Sequence, residues 1–131
     1  MSWLHIVDNN TFLVQLFPTA EPPLRSIRLH EVVFHQDGPR VLFRFDLNTF
    51  PEHSPSKWAA AGANTVQVRL MAVGIDAIGM NGWATNNVGE LRMTPRQPGV
   101  SLEFSAPFCH IVAQFAHIRV DSVTAYTSES A

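Results

Sequence analysis

The residues best suited to chemistry are six histidines, one cysteine and a set of charged side chains on predicted strands. The histidines are His5, His30, His35, His53, His110 and His117. None of them shows the tight spacing of a helical or knuckle metal site, so we expect neither a metal nor another cofactor. His30 and His35 are an odd number of positions apart, and an unbroken strand would place them on opposite faces.

A nucleophilic enzyme would need a serine or cysteine beside a base. Cys109 precedes His110, but neighbouring residues of a strand point to opposite faces, so this histidine cannot reach the thiol. The chain contains no Gly-x-Ser-x-Gly elbow or other recognised catalytic motif. The sequence therefore predicts no catalytic residues, and we interpret Cys109 as a small core residue.

Charged side chains on the outer faces of strands have two interpretations. The acidic set is Asp46, Asp76, Glu90 and Glu103, and the basic set is Arg44, Arg69 and Arg92. An enzyme could use Asp46 or Glu103 as a base, and a buried carboxylate with a perturbed pKa in a cleft would favour that reading. A cross-strand charge ladder on a solvated face explains both sets without chemistry, and we favour it. That face is a candidate recognition surface.

The N-terminal residues form a lead segment that differs from the rest of the chain. Leu4, Val7, Leu13 and Leu16 follow helical spacing, and Pro22-Pro23 end the pattern. We predict one or two short helices within residues 1–23, an antiparallel β body over residues 24–126, and a frayed tail at residues 127–131.

The β body begins with the clearest hairpin of the chain. The turn residues Asp37-Gly38 separate two strands. In the first strand the apolar residues change from odd to even positions near His30-Glu31, which predicts a β-bulge there. Residues 48–64 form a long connection with one helical turn, and Trp58 has a structural role in pinning it.

The remaining strands are marked by alternation and by turns about every ten residues. We predict separate strands over 65–72, 74–80, 88–93, 100–104, 108–115 and 118–126. The fold class is mainly β, an antiparallel meander of about seven to eight strands that forms a sandwich or half-barrel.

Composition limits the classes of function. A chain of 131 residues with 46% hydrophobic and 15% charged residues is one folded domain. Its low content of charged residues leaves few side chains to protect exposed strand edges from pairing with other strands. A net charge of -2 argues against nucleic-acid binding. One cysteine favours a reducing cytoplasm, and no apolar run approaches the roughly 20 residues of a membrane span. Outward Met71 and Leu42 indicate a covered face, which a homodimer or a helix would provide equally well.

The order of residues along nearly the whole chain resembles the immunity protein 50 family, which comprises predicted immunity proteins of bacterial polymorphic toxin systems. The residues that carry the resemblance are Trp3, Leu16-Phe17, Pro22-Pro23-Leu24, Leu29-His30-Glu31-Val32, Asp37-Gly38-Pro39-Arg40-Val41, Arg44-Phe45-Asp46-Leu47, Phe50-Pro51, Pro55-Ser56-Lys57-Trp58, Asn64-Thr65-Val66-Gln67-Val68 and Ala125-Tyr126.

The resemblance implies a small cytoplasmic β protein, not an enzyme, that binds and neutralises the toxin domain encoded beside it. Such an interface depends on a few aromatic or arginine anchors. Our candidate partner-binding residues are Arg44, Arg69, Arg92, Trp83, Asn86, Asn87 and Asp76. The alternative is a small-molecule or lipid-binding β domain, which a pocket of several hundred Å³ lined by interior residues such as Phe43, Leu70 and Phe104 would favour.

Overall fold

The computed structural model describes residues 2–129, and most of them lie in six antiparallel strands. The strands are β1 (Ile27–His35), β2 (Arg40–Asp46), β3 (Thr65–Asn81), β4 (Asn87–Pro95), β5 (Val100–Ala106) and β6 (Cys109–Tyr126). They pair in the order β1-β2-β3-β6-β5-β4, and β4 returns to β1 to close a barrel. The mainly β, antiparallel fold class is confirmed, with six strands instead of the predicted seven or eight and a closed barrel instead of a sandwich or half-barrel.

The difference in strand number comes from β3 and β6, which run through two predicted breaks. Gly74 has a φ of +71°, and its amide and that of Ile75 both donate to the carbonyl oxygen of Pro39, at 3.1 and 2.9 Å. A second irregularity follows between Ile75 and Ala77. These features bend β3 where β2 leaves it, and β6 follows the bend without a break because it pairs with β3 on both sides of it.

Bulky apolar side chains fill the interior of the barrel. Phe43, Phe45, Phe104 and Phe115 are each at most 1% exposed, and Leu70 is fully buried. They come from four different strands, and the neighbours of each in the sequence point to the other face of its strand. The strict alternation is therefore what directs one set of side chains into a common core.

The lead segment contains a 3-10 turn (Trp3–His5) and helix α1 (Thr11–Leu16), as predicted. Between them Asp8 forms an isolated parallel bridge with Arg119, which fixes the segment against β6. Trp3 is buried and its indole nitrogen donates to the carbonyl oxygen of Pro22 at 2.8 Å. None of the helices described between residues 2 and 129 is long and apolar enough to cross a membrane.

The long connection between β2 and β3 contains helix α2 (Ser56–Ala60), which confirms the predicted helical turn. Trp58 is 7% exposed and makes an edge-on contact with Phe12 of α1, with ring centroids 5.8 Å apart. It also lies against Phe50 at 6.2 Å. The predicted structural role of Trp58 is confirmed, because its ring joins the connection to the lead segment.

The chain after β6 is tied to the start of β3. The Thr127 hydroxyl donates to the carbonyl oxygen of Gly62 at 2.9 Å, and the Ser128 amide donates to Asn64 Oδ1 at 2.8 Å. The predicted frayed tail thus contains two residues with defined partners, while residues 130 and 131 lie outside the described residues.

The packing of Trp58 leads to a stability prediction. We expect Trp58→Ala to lower the free energy of unfolding by about 3 kcal/mol, because it removes a buried aromatic ring and leaves a cavity. The neighbouring exposed Lys57→Ala is the control, with a change within about 0.5 kcal/mol. Urea unfolding followed by circular dichroism measures both. Equal stabilities of the two variants would contradict the role assigned to Trp58.

Candidate functional site

A polar cluster surrounds the carboxylate of Asp46 at the end of β2. Asp46 is only 6% exposed, and its Oδ2 lies 2.7 Å from His30 Nε2. Gln67 Nε2 donates to Oδ1 at 3.1 Å, and the Tyr126 hydroxyl donates to Oδ2. The four side chains come from β1, β2, β3 and β6, so the cluster connects four strands of the barrel.

The β-bulge in β1 positions His30 in this cluster. The register steps from Leu29 opposite Phe45 to Glu31 opposite Arg44, which leaves His30 as the extra residue of the ladder. The predicted bulge at this position is confirmed. His35 pairs with Arg40 at the far end of the same hairpin, so the bulge does not bring the two histidines together.

The prediction that Asp46 lies on a solvated outer face was wrong. Asp46 does point outward from β2, but neighbouring side chains on β1, β3 and β6 cover it. Burial, followed by the hydrogen bond and the negative charge of Asp46, raises the pKa of Tyr126. The hydroxyl therefore keeps its proton to donate to the carboxylate.

The cluster has the chemistry of a structural network. Both oxygens of the Asp46 carboxylate have partners inside the protein, and each partner is a side chain of a different strand. Buried carboxylates are stable only with such partners. Within residues 2–129, no group of three or more His, Cys, Asp or Glu side chains is placed to hold a metal ion.

Arg44 and Arg69 lie side by side on the outer face of β2 and β3, where the register pairs them directly. The Arg44 Nε atom lies 3.2 Å from Glu31 Oε1 across the β1–β2 pair, and Arg69 Nη1 donates to Ser122 Oγ at 3.3 Å. Glu31 and Ser122 therefore flank the two like charges. The first of these contacts is a cross-strand ion pair, but its acidic partner Glu31 was not in the acidic set of the predicted charge ladder.

Arg92 and Asp76 lie elsewhere on the molecule. The Arg92 side chain, 68% exposed, pairs with Glu90 of its own strand at 3.0 Å, so this pair is not a cross-strand one. His110 Nε2 lies 2.7 Å from Glu103 Oε2 on the neighbouring strand. Asp76 is exposed at the bend of β3.

The loop between β3 and β4 contains the remaining candidate residues. Trp83 is 48% exposed, and Asn86 is exposed beside it. Asn87 is buried, and its side chain accepts from the amide and donates to the carbonyl of Ala84, at 3.0 and 2.8 Å. Asn87 therefore stabilises the loop from its buried side, and Trp83 and Asn86 are the two candidate residues that the loop exposes.

Residues 9–126 match the family described as immunity protein 50. The chain belongs to the immunity protein 50 family. No curated protein and no solved structure matches it significantly. The resemblance noted in the sequence is thereby confirmed.

Several residues that carry the immunity protein 50 resemblance belong to the hydrophobic core. Phe45, Leu47, Trp58, Val66 and Val68 are buried, and none is more than 7% exposed. Trp83 and Asn86 are not among the residues that carry it. These five residues therefore belong to the scaffold, and the quoted resemblance does not depend on the exposed loop.

Bulky apolar side chains fill the barrel interior, which argues against the carrier alternative. A groove of about 590 Å³ lies on the outer surface and is lined by Arg92, Glu103, Val112 and Gln114. It touches the interior residue Leu102, whereas Phe43, Leu70 and Phe104 pack in the core.

Sequence reasoning missed the Asp46 cluster as a unit. Tyr126 lies 80 residues after Asp46, and only the β2-β3-β6 order brings their strands together. The predicted bulge and the quoted Arg44-Phe45-Asp46-Leu47 and Ala125-Tyr126 segments were the available signals.

The contact with Asp46 leads to a prediction about the pKa of Tyr126, the one tyrosine in the chain. We expect ultraviolet absorbance to give Tyr126 a pKa above its ordinary value of 10.0, and Asp46→Asn to lower it by removing the carboxylate charge. Because the folded state holds this proton more tightly, its stabilising contribution is present below pH 10 and is lost as the pH rises through the raised pKa. The exposed Asp76→Asn is the control, and an ordinary pKa in the unmutated protein would contradict the contact.

Proposed function

We propose that this protein is an immunity protein that binds and neutralises the polymorphic toxin encoded beside its gene, in the cytoplasm of the bacterium that makes both. The observation that carries the proposal is the family match over residues 9–126. The filled interior and the structural character of the Asp46 cluster support binding at the surface. The action is stoichiometric and involves no turnover.

The end of the barrel that includes Trp83 is the leading candidate for the toxin interface. Phe108, in the turn between β5 and β6, is 74% exposed. It lies at the same end, because a Cβ atom added to Gly82 would come within 2.3 Å of the Phe108 carbonyl oxygen. Exposed aromatic rings of this kind are the usual anchors of protein interfaces.

The paired arginines on β2 and β3 are a second candidate face for the same partner. The Arg44 side chain is 25% exposed and already pairs with Glu31, so it offers less free surface than Trp83 or Phe108. An acidic toxin surface would nevertheless meet two adjacent guanidinium groups there. Salt-dependent association would identify this face, since steering by exposed charges is screened.

The function is tested by co-expressing this protein with the neighbouring toxin in a sensitive host. We expect growth rescue, co-purification of the pair and a one-to-one stoichiometry in calorimetric titration. A toxin that stays lethal, together with no heat of binding, would remove the immunity function for that pair.

The interface is tested with single substitutions in the same titration. We expect Trp83→Ala and Phe108→Ala each to weaken toxin binding by about 30-fold, equivalent to about 2 kcal/mol, with no loss of melting temperature. Phe34→Ala is the matched control, since Phe34 is 57% exposed but lies on the β1–β2 hairpin. If Arg44→Ala and Arg69→Ala weaken binding and the aromatic variants do not, the toxin docks on the arginine face.

A further inference from the structure

The distal part of β3 is an open sheet edge. β2 pairs with β3 only as far as Val73, whereas β6 continues alongside it to Asn81. From Ala77 to Asn81 the register with β6 is regular. Among residues 2–129, no hydrogen bond joins the opposite edge of Ala77–Asn81 to another group. Its outward-facing amides and carbonyls are therefore free to pair with an added strand.

The other incomplete edges of the barrel are protected. On β6, beyond its pairing with β5, the Asp8 amide donates to the carbonyl oxygen of Ile118, the Val120 amide donates to that of Asp8, and the charged Asp121 follows. On β4, beyond its short pairing with β1, the Leu91 amide donates to the carbonyl oxygen of Leu24 at 2.9 Å. On β1, the edge beyond Leu29 begins with the bulge at His30 and carries Glu31. Bulges and charges are the usual protection of an edge, and Ala77–Asn81 has neither.

We propose that two copies of this chain associate through antiparallel pairing of their Ala77–Asn81 edges. A two-fold axis near Gly79 pairs Ala77 of one copy with Asn81 of the other, so a single segment supplies both sides of the contact. The β4-β5-β6-β3 sheet then continues from one barrel into the next. This proposal does not rest on the toxin-binding function.

The charges next to the edge suit a second copy. Asp76 is the first residue before the regular segment, and in this register it faces Gly82 of the other copy. The two Asp76 carboxylates lie about 20 Å apart along the strands, at about 3.3 Å per residue, and do not repel each other strongly.

A low net charge also permits self-association. The chain carries a net charge of -2, so two copies meet without strong repulsion. Met80 lies within the paired segment and is 42% exposed, and pairing covers part of its apolar surface. Because the paired segment is short, we expect a dimer that forms with rising concentration.

The test is sedimentation equilibrium of the full chain over a concentration series. We expect the mass to rise from 14.6 kDa to twice that value. The double substitution Ala77→Lys with Met80→Lys should keep the mass of one chain, because lysine side chains block an edge. Val112→Lys with Gln114→Lys is the matched control. It adds the same charge at exposed positions of β6, directly next to β3 but away from the edge, and should still form dimers.

Hydrogen exchange on the unmutated chain provides a second measurement that does not depend on variants folding. We expect amide protection within Ala77–Asn81 to increase with protein concentration. A mass of one chain at every concentration up to the solubility limit would overturn the proposal, as would dimers of the Ala77→Lys, Met80→Lys variant equal to those of the unmutated protein. Protection of this segment by the toxin alone, with the chain monomeric, would assign the edge to the toxin.

Discussion

The pairing of β3 with β6 is the contact on which the rest of the barrel depends. These two strands run beside each other from Thr65 opposite Tyr126 to Asn81 opposite His110. Their first half joins β1 and β2, and their second half joins β5 and β4. Both halves share one core only because the long pair bends between them. A single ladder thus sets the relative positions of the hairpin, the Asp46 cluster and the end that includes Trp83.

The bend itself depends on close backbone approach. At Gly74 a Cβ atom would come within 3.0 Å of Ala116 Cβ, and the positive φ there disfavours any other residue. The amides released from the ladder at this point both donate to Pro39, so the end of the β1–β2 hairpin satisfies them. The same bend separates β3 from β2 and leaves the edge beyond it open. Closure of the barrel and exposure of that edge therefore have one physical cause.

Local patterns predicted much of this fold, and the failures have a common origin. Alternation, turn chemistry and parity correctly indicated the β1–β2 hairpin, its bulge, the helical turn in the long connection and the role of Trp58. The strand count was wrong because breaks were predicted just before Gly74 and at residues 116–117, where β3 and β6 continue through a bend. Asp46 was misplaced because its partners Gln67 and Tyr126 are 21 and 80 residues away. Avoiding either error would have required knowing which strands become neighbours in the barrel.

The division between buried core residues and exposed loop residues also explains why the sequence indicates the family but not the partner. Buried residues such as Phe45 and Val68 have few acceptable substitutes, because a change of volume in a packed core costs stability, so they leave a recognisable pattern. Trp83 and Phe108 lie on loops at one end of the barrel, where substitution costs the fold little. A scaffold of this kind can change its partner by changing a few exposed side chains while Asp46, Trp58 and the interior phenylalanines stay in place. The exposed residues at this end of the barrel are therefore the ones that the fold constrains least.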